Sequence, residues 1–237
     1  MAAFTKAAVS GLTFSLKNPS LLKPVISHSG GSSAFTDKIF FDVYNPSTES
    51  VIASVENMGL SHVRSAIEEA YDVFSSSPWR NTTGLQRSKM LLRWSELIKE
   101  NQDDLAKIMT LESGKPLKES YGEIAYGTSY MDFYAGEAIR PSSSGGGYII
   151  PTPFTTSNEN MSFARGTAMA IKEGVGVCGI ITPWNFPFGM FIRKCAPALA
   201  AGCTTVLKPS EETPLTALAV QSLAKSAGLP SGVFHVM

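Results

Sequence analysis

Thr182-Pro183-Trp184-Asn185-Phe186-Pro187 and Leu207-Lys208-Pro209-Ser210-Glu211 decide the fold of this chain. Each loop follows a short apolar, β-branched run, Val177 to Ile181 and Thr204 to Leu207. Each precedes a helical pattern, Phe188 to Ala201 and Thr213 to Ala227. A third strand pattern, Val233 to Met237, completes a β-α-β-α-β order, which implies parallel strands joined by right-handed crossovers. In such sheets ligands sit in the loops beyond the carboxyl ends of the strands. The two loops therefore bring the amide of Asn185, the lysine Lys208 and the carboxylate of Glu211 to one edge of one sheet.

Upstream, Phe40 to Tyr44 and Val51 to Val55 read as two strands around the turn cluster Asn45-Pro46-Ser47-Thr48. Ser61 is placed to cap a helix with the apolar face Val63, Ile67, Ala70 and Phe74. Gln86 to Glu112 carries one long helical pattern or two. Leu91, Trp94, Ile98, Leu105, Ile108 and Leu111 form its buried stripe, whose spacing slips near Asn101. Gly114 suits a helix C-cap and Pro116 the start of the next helix, which runs to about Arg140. Its face of Ile124, Tyr130, Met131 and Tyr134 reads as core. Pro141 to Gly147 is a linker signal. Two extended patterns follow, Tyr148 to Phe154 and Met161 to Ile171. An isolated two-stranded ribbon is marginal in water, so this one is expected to pack on another domain or another subunit.

The composition narrows the function classes. Twenty basic and twenty acidic residues give zero formal charge, which argues against a nucleic-acid binder working through a broad basic surface. No apolar run is long enough to span a bilayer, so no membrane partner is expected. Cys178, Cys195 and Cys203 are odd in number and lack close metal-type spacing, which favours free thiols in a reducing compartment. The histidines His28, His62 and His235 are scattered and suggest no metal cluster. Met1 to Thr36 contains no Asp or Glu and carries Lys6, Lys17 and Lys23. It reads as a disordered extension or a mitochondrial presequence, although it contains no arginine. Gly174-Val175-Gly176-Val177-Cys178-Gly179 spells G-x-G-x-x-G, but that fingerprint needs a strand before it and a helix after it. Here the glycines lead into a strand, so they are expected to pack closely at its start.

The motifs as a set resemble the aldehyde dehydrogenase superfamily. Ile181 to Pro187 looks like its catalytic amide loop and Lys208-Pro209-Ser210-Glu211-Glu212-Thr213-Pro214 like its adenosine-ribose loop. Arg193-Lys194, Ala198 to Thr204 and Thr110-Leu111-Glu112-Ser113-Gly114-Lys115-Pro116 are similar to succinate-semialdehyde dehydrogenases. The resemblance covers roughly Phe40 to Met237. It implies an α/β fold made of a helical N-terminal region, a protruding β-ribbon and the first part of a doubly wound parallel Rossmann-like sheet. The implied segments are an extension over 1–36, the N-terminal part of the NAD-binding domain over 37–145, an oligomerisation ribbon over 146–172 and a partial βαβαβ unit over 173–237.

The implied reaction is oxidation of an aldehyde, succinate semialdehyde above all, to its acid with NAD. A cysteine thiolate attacks, hydride leaves to NAD, and a glutamate-activated water hydrolyses the thioester. Asn185 takes the role of oxyanion donor, because an amide donates without titrating. Ile181, Thr182, Pro183, Trp184, Lys208, Pro209, Ser210 and Glu211 take cofactor-binding roles. Glu211 can accept from both ribose hydroxyls and would repel a 2′-phosphate, which favours NAD over NADP. Arg193 matches the arginine that holds a distal carboxylate bidentately, and Lys194 a lysine near the active site. The partners implied are a small aldehyde and, in the full-length family, further copies of the chain. The compartment implied is the cytoplasm, with the mitochondrion as the alternative.

The same resemblance implies a nucleophilic cysteine and a general-base glutamate that this chain does not supply, since none of its three cysteines matches the nucleophile. The chain alone is therefore expected to be inactive. A second reading is a non-catalytic module that binds or tunes a full-length homologue. The strand Val233 to Met237 is expected to present an exposed apolar edge.

Overall fold

The computed structural model describes residues 16–18, 21, 40–76, 78–140, 146–151 and 167–237. Strands β1 (Phe40–Tyr44) and β2 (Val51–Glu56) pair antiparallel, with an irregularity at Val43/Tyr44. In the turn between them the Ser47 amide donates to Asn45 Oδ1 at 2.9 Å. Helix α1 (Leu60–Ser76) starts one residue ahead of the expected cap. The Gly59 carbonyl already accepts the His62 and Val63 amides, so Ser61 lies inside the helix and does not cap it. Of the expected face Ala70 is buried, Val63 and Phe74 are half-buried and Ile67 is 45% exposed, while Ala66, outside that face, is buried beside Ala70. The small residues are what let α1 approach the sheet: Ala66 and Ala70 pack on Val206, and Thr204 Oγ1 donates to the Ala70 carbonyl at 2.9 Å.

The long helical pattern resolves into α2 (Gly84–Glu100) and α3 (Gln102–Ser113). Thr83 and Gln86 form a reciprocal capping box at the start of α2. At Asn101 the backbone leaves helical geometry, and its Nδ2 donates to the Leu97 carbonyl, which explains the slip in the spacing. The whole expected stripe, Leu91 to Leu111, is buried. Gly114 ends α3 at φ 73°, a left-handed conformation that glycine adopts without a Cβ penalty. Helix α4 (Leu117–Ile139) follows Pro116. Ile124 and Met131 are in the core, whereas Tyr130 and Tyr134 are half-buried at its margin. Within the segment read as an extension, Leu21 is buried, and the Lys17 and Asn18 amides donate to the two oxygens of Asp104 at 3.0 and 2.6 Å.

Strands β3 (Gly147–Pro151) and β4 (Thr167–Ile171) pair antiparallel, Gly147 with Ile171 and Pro151 with Thr167, and every residue in both is exposed. The rest of the expected ribbon, 152–166, lies outside the described residues.

The parallel sheet has the order β5 (Val177–Ile181), β6 (Thr204–Lys208), β7 (Phe234–Val236). Crossover helices α5 (Gly189–Ala200) and α6 (Leu215–Ser226) connect them. Alternation along β6 sends Val206 to the α1 side and Leu207 into the main core with Ile180, Phe191 and Phe234. Helices therefore cover both faces, as a doubly wound sheet requires. Gly174 packs as expected, since a Cβ there would lie 3.1 Å from the Ala201 carbonyl oxygen and 3.2 Å from Cys203 Sγ, but Gly176 and Gly179 do not: a Cβ at either would meet nothing within 4 Å, and Gly176 is placed instead for its φ of 122°. One expectation is corrected. β7 is an edge strand, but its side chains are not an exposed apolar surface. Phe234 lies 5.2 Å from the Trp94 ring and is stacked on Phe191, and Phe234, His235 and Val236 are all buried.

Candidate functional site

The two loops meet where β5 and β6 end. Ile181 and Lys208 are register partners, and the Thr182 amide donates to the Lys208 carbonyl at 3.2 Å. Thr182 is buried, with its Oγ1 unpartnered among the described residues. Pro183, Trp184, Asn185 and Phe186 then run exposed before the chain turns into α5.

That turn is held by two side chains from the helical region. Glu123 on α4 accepts the Phe188 and Gly189 amides on one oxygen, Oε1, at 2.8 and 2.9 Å, satisfying donors that a helix start leaves open. Lys115, between α3 and α4, pairs with Glu123 Oε2, donates to the Asn185 carbonyl at 2.9 Å and sits 4.7 Å above the Phe186 ring. The Asn185 backbone is clamped while its side-chain amide faces solvent. A fixed, neutral, exposed donor of this kind can stabilise a developing oxyanion without reorganising.

At the second loop Lys208 Nζ lies 3.2 Å from Glu211 Oε2, and both side chains are mostly exposed. The Glu211 backbone N–H and the Lys208 ammonium hold the Glu211 carboxyl below its usual range. Ile181, Lys208, Pro209, Ser210 and Glu211 line a cavity of about 860 Å³ whose further walls, Val55, Met58, Val63 and Ile67 among them, are largely apolar. The arrangement can house a flat apolar group and accept vicinal hydroxyls at its mouth. Thr182, Pro183, Trp184 and Asn185 do not line it. Arg193 lies exposed on α5. Lys194 is half-buried on the same helix.

The thiols sit apart from this chemistry. Burial pushes the Cys195 thiol far up, and burial together with Cys203 pushes Cys178 up to about 11. All three are free, with Cys195 and Cys203 buried. A thiol held protonated is a poor nucleophile. No group of His, Cys, Asp and Glu side chains among the described residues is arranged to hold a metal ion.

The supporting residues were the part the sequence reading passed over. Lys115 and Glu112 stand in the quoted motif Thr110 to Pro116 without an assigned role, and Glu123 was not singled out. Glu112 does at α6 what Glu123 does at α5: it accepts the Leu215 and Thr216 amides at 2.6 and 2.9 Å. The signal available was Glu112 and Glu123 beside the apolar positions Leu111 and Ile124 of their helices, where a buried carboxylate demands partners.

Fold and site together define the first part of a doubly wound α/β domain with paired loops at the carboxyl edge of its sheet. The chain belongs to the aldehyde dehydrogenase family, whose model matches residues 34–237. It is 47% identical over 195 residues to the mitochondrial succinate-semialdehyde dehydrogenase of Arabidopsis thaliana, covering 82% of this chain and 34% of that protein. It is 42% identical to succinate-semialdehyde dehydrogenase [NADP(+)] 1 of Schizosaccharomyces pombe, covering 96% of this chain and 44% of that one. The crystal structure of succinate-semialdehyde dehydrogenase from Burkholderia pseudomallei superposes with a TM-score of 0.82 at 42% identity, over 94% of this chain and 43% of that chain. The chain thus spans between about a third and under a half of the length of these relatives. No helix among the described residues is long and apolar enough to cross a membrane.

Proposed function

We propose that the chain supplies the oxyanion donor and the adenosine end of the cofactor site in an NAD-dependent aldehyde dehydrogenase acting on succinate semialdehyde. The observation that carries this reading is the clamped Asn185 loop: Lys115 and Glu123 fix its backbone and leave its amide free. Arg193, about one helical turn beyond the loop, supplies a fork for the distal carboxylate. Lys208 and Glu211 take the ribose hydroxyls, and Ile181, Thr182, Pro183, Trp184, Pro209 and Ser210 shape the surroundings. The apolar cavity behind Glu211 fits a nucleoside. When bound, NAD accepts the hydride. Glu211 favours it over NADP by repelling a 2′-phosphate.

With Cys178 and Cys195 held protonated and Cys203 buried, this chain alone does not turn over aldehyde. The proposed compartment is the cytoplasm, with the mitochondrion as the alternative. The test is to incubate the purified chain with NAD and succinate semialdehyde and to measure NADH formation and NAD binding separately. Binding without turnover is expected; steady NADH formation contradicts the inactivity, and absence of NAD binding contradicts the cofactor site. The exposed β3–β4 ribbon also favours a second reading, a module that pairs with other copies or a longer homologue. Analytical ultracentrifugation of the chain tests it, with monomer at all concentrations as the contrary result.

A further inference from the structure

We infer that Tyr126 and Tyr130 of α4 form, together with Arg193 of α5, one subsite for the distal acid group of the substrate. The inference rests on the reading of Arg193 as a carboxylate anchor and deepens it.

Helices α4 and α5 run side by side from the Asn185 loop outward. Glu123 meets Phe188 and Gly189, Tyr126 covers Gly189, and Tyr130 and Arg193 each lie one helical turn further along their helices from that contact. A Cβ at Gly189 would lie 3.2 Å from the Tyr126 ring, so glycine is what lets the ring settle against the start of α5. The Tyr126 and Tyr130 rings meet edge to face at 5.0 Å, and their hydroxyls lie 2.8 Å apart. Two hydroxyls hold two donors, and their mutual bond uses one. The second O–H is left to point at an anion. Arg193 makes no ion pair among the described residues, so its guanidinium is also open to one. The hydrogen bond with Tyr126 raises the Tyr130 phenol above its ordinary range, while Arg193 pulls the other way. Raised in this way, the Tyr130 phenol stays a donor and does not compete for the guanidinium.

The placement fixes the ligand class. Arg193 lies four residues into α5, about 6 Å along the helix from its start. A short acidic aldehyde spans that distance with its carbonyl toward Asn185 and its carboxylate toward Arg193. The aromatic rings flank its methylenes. A neutral aldehyde of equal length would leave the guanidinium and the free phenol donor without a partner.

The probe is succinate, titrated calorimetrically into the full chain. The variants are Tyr126→Phe, Tyr130→Phe, the double Tyr126→Phe/Tyr130→Phe, and Arg193→Met. Phe keeps each ring and removes only the hydroxyl. Each single variant retains one donor and should bind almost as wild type does. The double variant should bind about tenfold more weakly, and Arg193→Met should lose binding. If the double variant binds like wild type while Arg193→Met does not, the tyrosine inference fails and the Arg193 reading stands. If wild type does not bind succinate, the Arg193 reading fails and the inference with it. A measurement on carbon-13-tyrosine-labelled wild type guards against a double variant that misfolds: bound succinate should shift the Cζ resonances of Tyr126 and Tyr130, and binding without such shifts overturns the inference.

Discussion

Glu112 on α3 closes the N-terminus of α6 through Thr216: one carboxylate oxygen accepts both the Thr216 amide, at 2.9 Å, and the Thr216 hydroxyl, while the other takes the Leu215 amide at 2.6 Å. The carboxylate is 103 residues away in sequence from the first amide it satisfies. Glu123 makes the equivalent closure at α5. The helical N-terminal region is therefore the support that sets the height and direction of both crossover helices, and through them of both loops. The fold's functional edge is built from behind.

Burial makes Glu112 pH-sensitive. Desolvation raises its carboxyl to about 7, opposed by the Thr216 and Leu215 donors. The folded value lies above the unfolded one, so the folded state binds the extra proton and stability from this group is fully present below the unfolded value of 4.5. It is lost as pH rises through about 7. Glu112→Gln keeps an acceptor oxygen and cannot titrate. Urea denaturation across that window should show wild type losing stability relative to Glu112→Gln by a few kcal/mol with rising pH. Parallel curves would show that Glu112 keeps one protonation state throughout.

Lys115 and Glu123 form a largely buried pair, with side-chain exposures of 13% and 2%. Removing one partner strands the other charge, at a cost of roughly 3–5 kcal/mol. Lys115→Met should destabilise the chain by about that amount and free the Asn185 carbonyl. Lys115→Met/Glu123→Gln should recover part of the loss, because the stranded charge is gone. A double-mutant cycle by chemical denaturation measures the coupling, and additive effects would show that the pair contributes nothing beyond its two members.

The parts legible in the sequence are those with a local physical signature. The β-α-β-α-β order, the capping glycine at Gly114 and the buried stripe from Leu91 to Leu111 all rest on periodicity or on one residue's conformational freedom. The loops at Thr182 and Lys208 were placed at the sheet edge by strand–loop–helix order alone, whereas the register of Ile181 with Lys208 is seen only in the paired strands. What escaped is non-local. The burial of Ala66 in place of Ile67 depends on how closely α1 approaches Val206, not on which residue is more apolar. The roles of Glu112, Lys115 and Glu123 depend on helix starts 65 to 104 residues away. Phe234 is buried because Trp94 and Phe191 come over it, which a strand pattern read alone does not contain.

The α4–α5 contact is close enough to exclude a methyl group. A Cβ on Gly127 would fall 2.3 Å from the Phe188 ring, and Phe188 is fully buried and edge-on to Phe191. Gly127→Ala gains helix propensity of up to about 1 kcal/mol but must displace that ring. Overpacking of this kind costs about 1–3 kcal/mol. The net expectation is a destabilised chain with α5 shifted at its first turn, read as a lower denaturation midpoint. A variant more stable than wild type would mean that Phe188 yields freely.

Glu211 offers a direct test of the cofactor reading. Its carboxylate is exposed and kept ionised by its own backbone N–H and by Lys208, so it presents a full negative charge where a ribose edge would lie. Glu211→Gln removes the charge, weakens two charge-assisted hydrogen bonds and releases Lys208 to meet a phosphate. NAD affinity should fall about tenfold and NADP affinity should rise, both measured by calorimetry on the chain itself. Lys208→Met should weaken NAD only slightly yet cancel the gain in NADP binding when combined with Glu211→Gln. Unchanged relative affinity for the two cofactors in Glu211→Gln would remove Glu211 from the discrimination. The preference would then belong to other residues around the Lys208 loop.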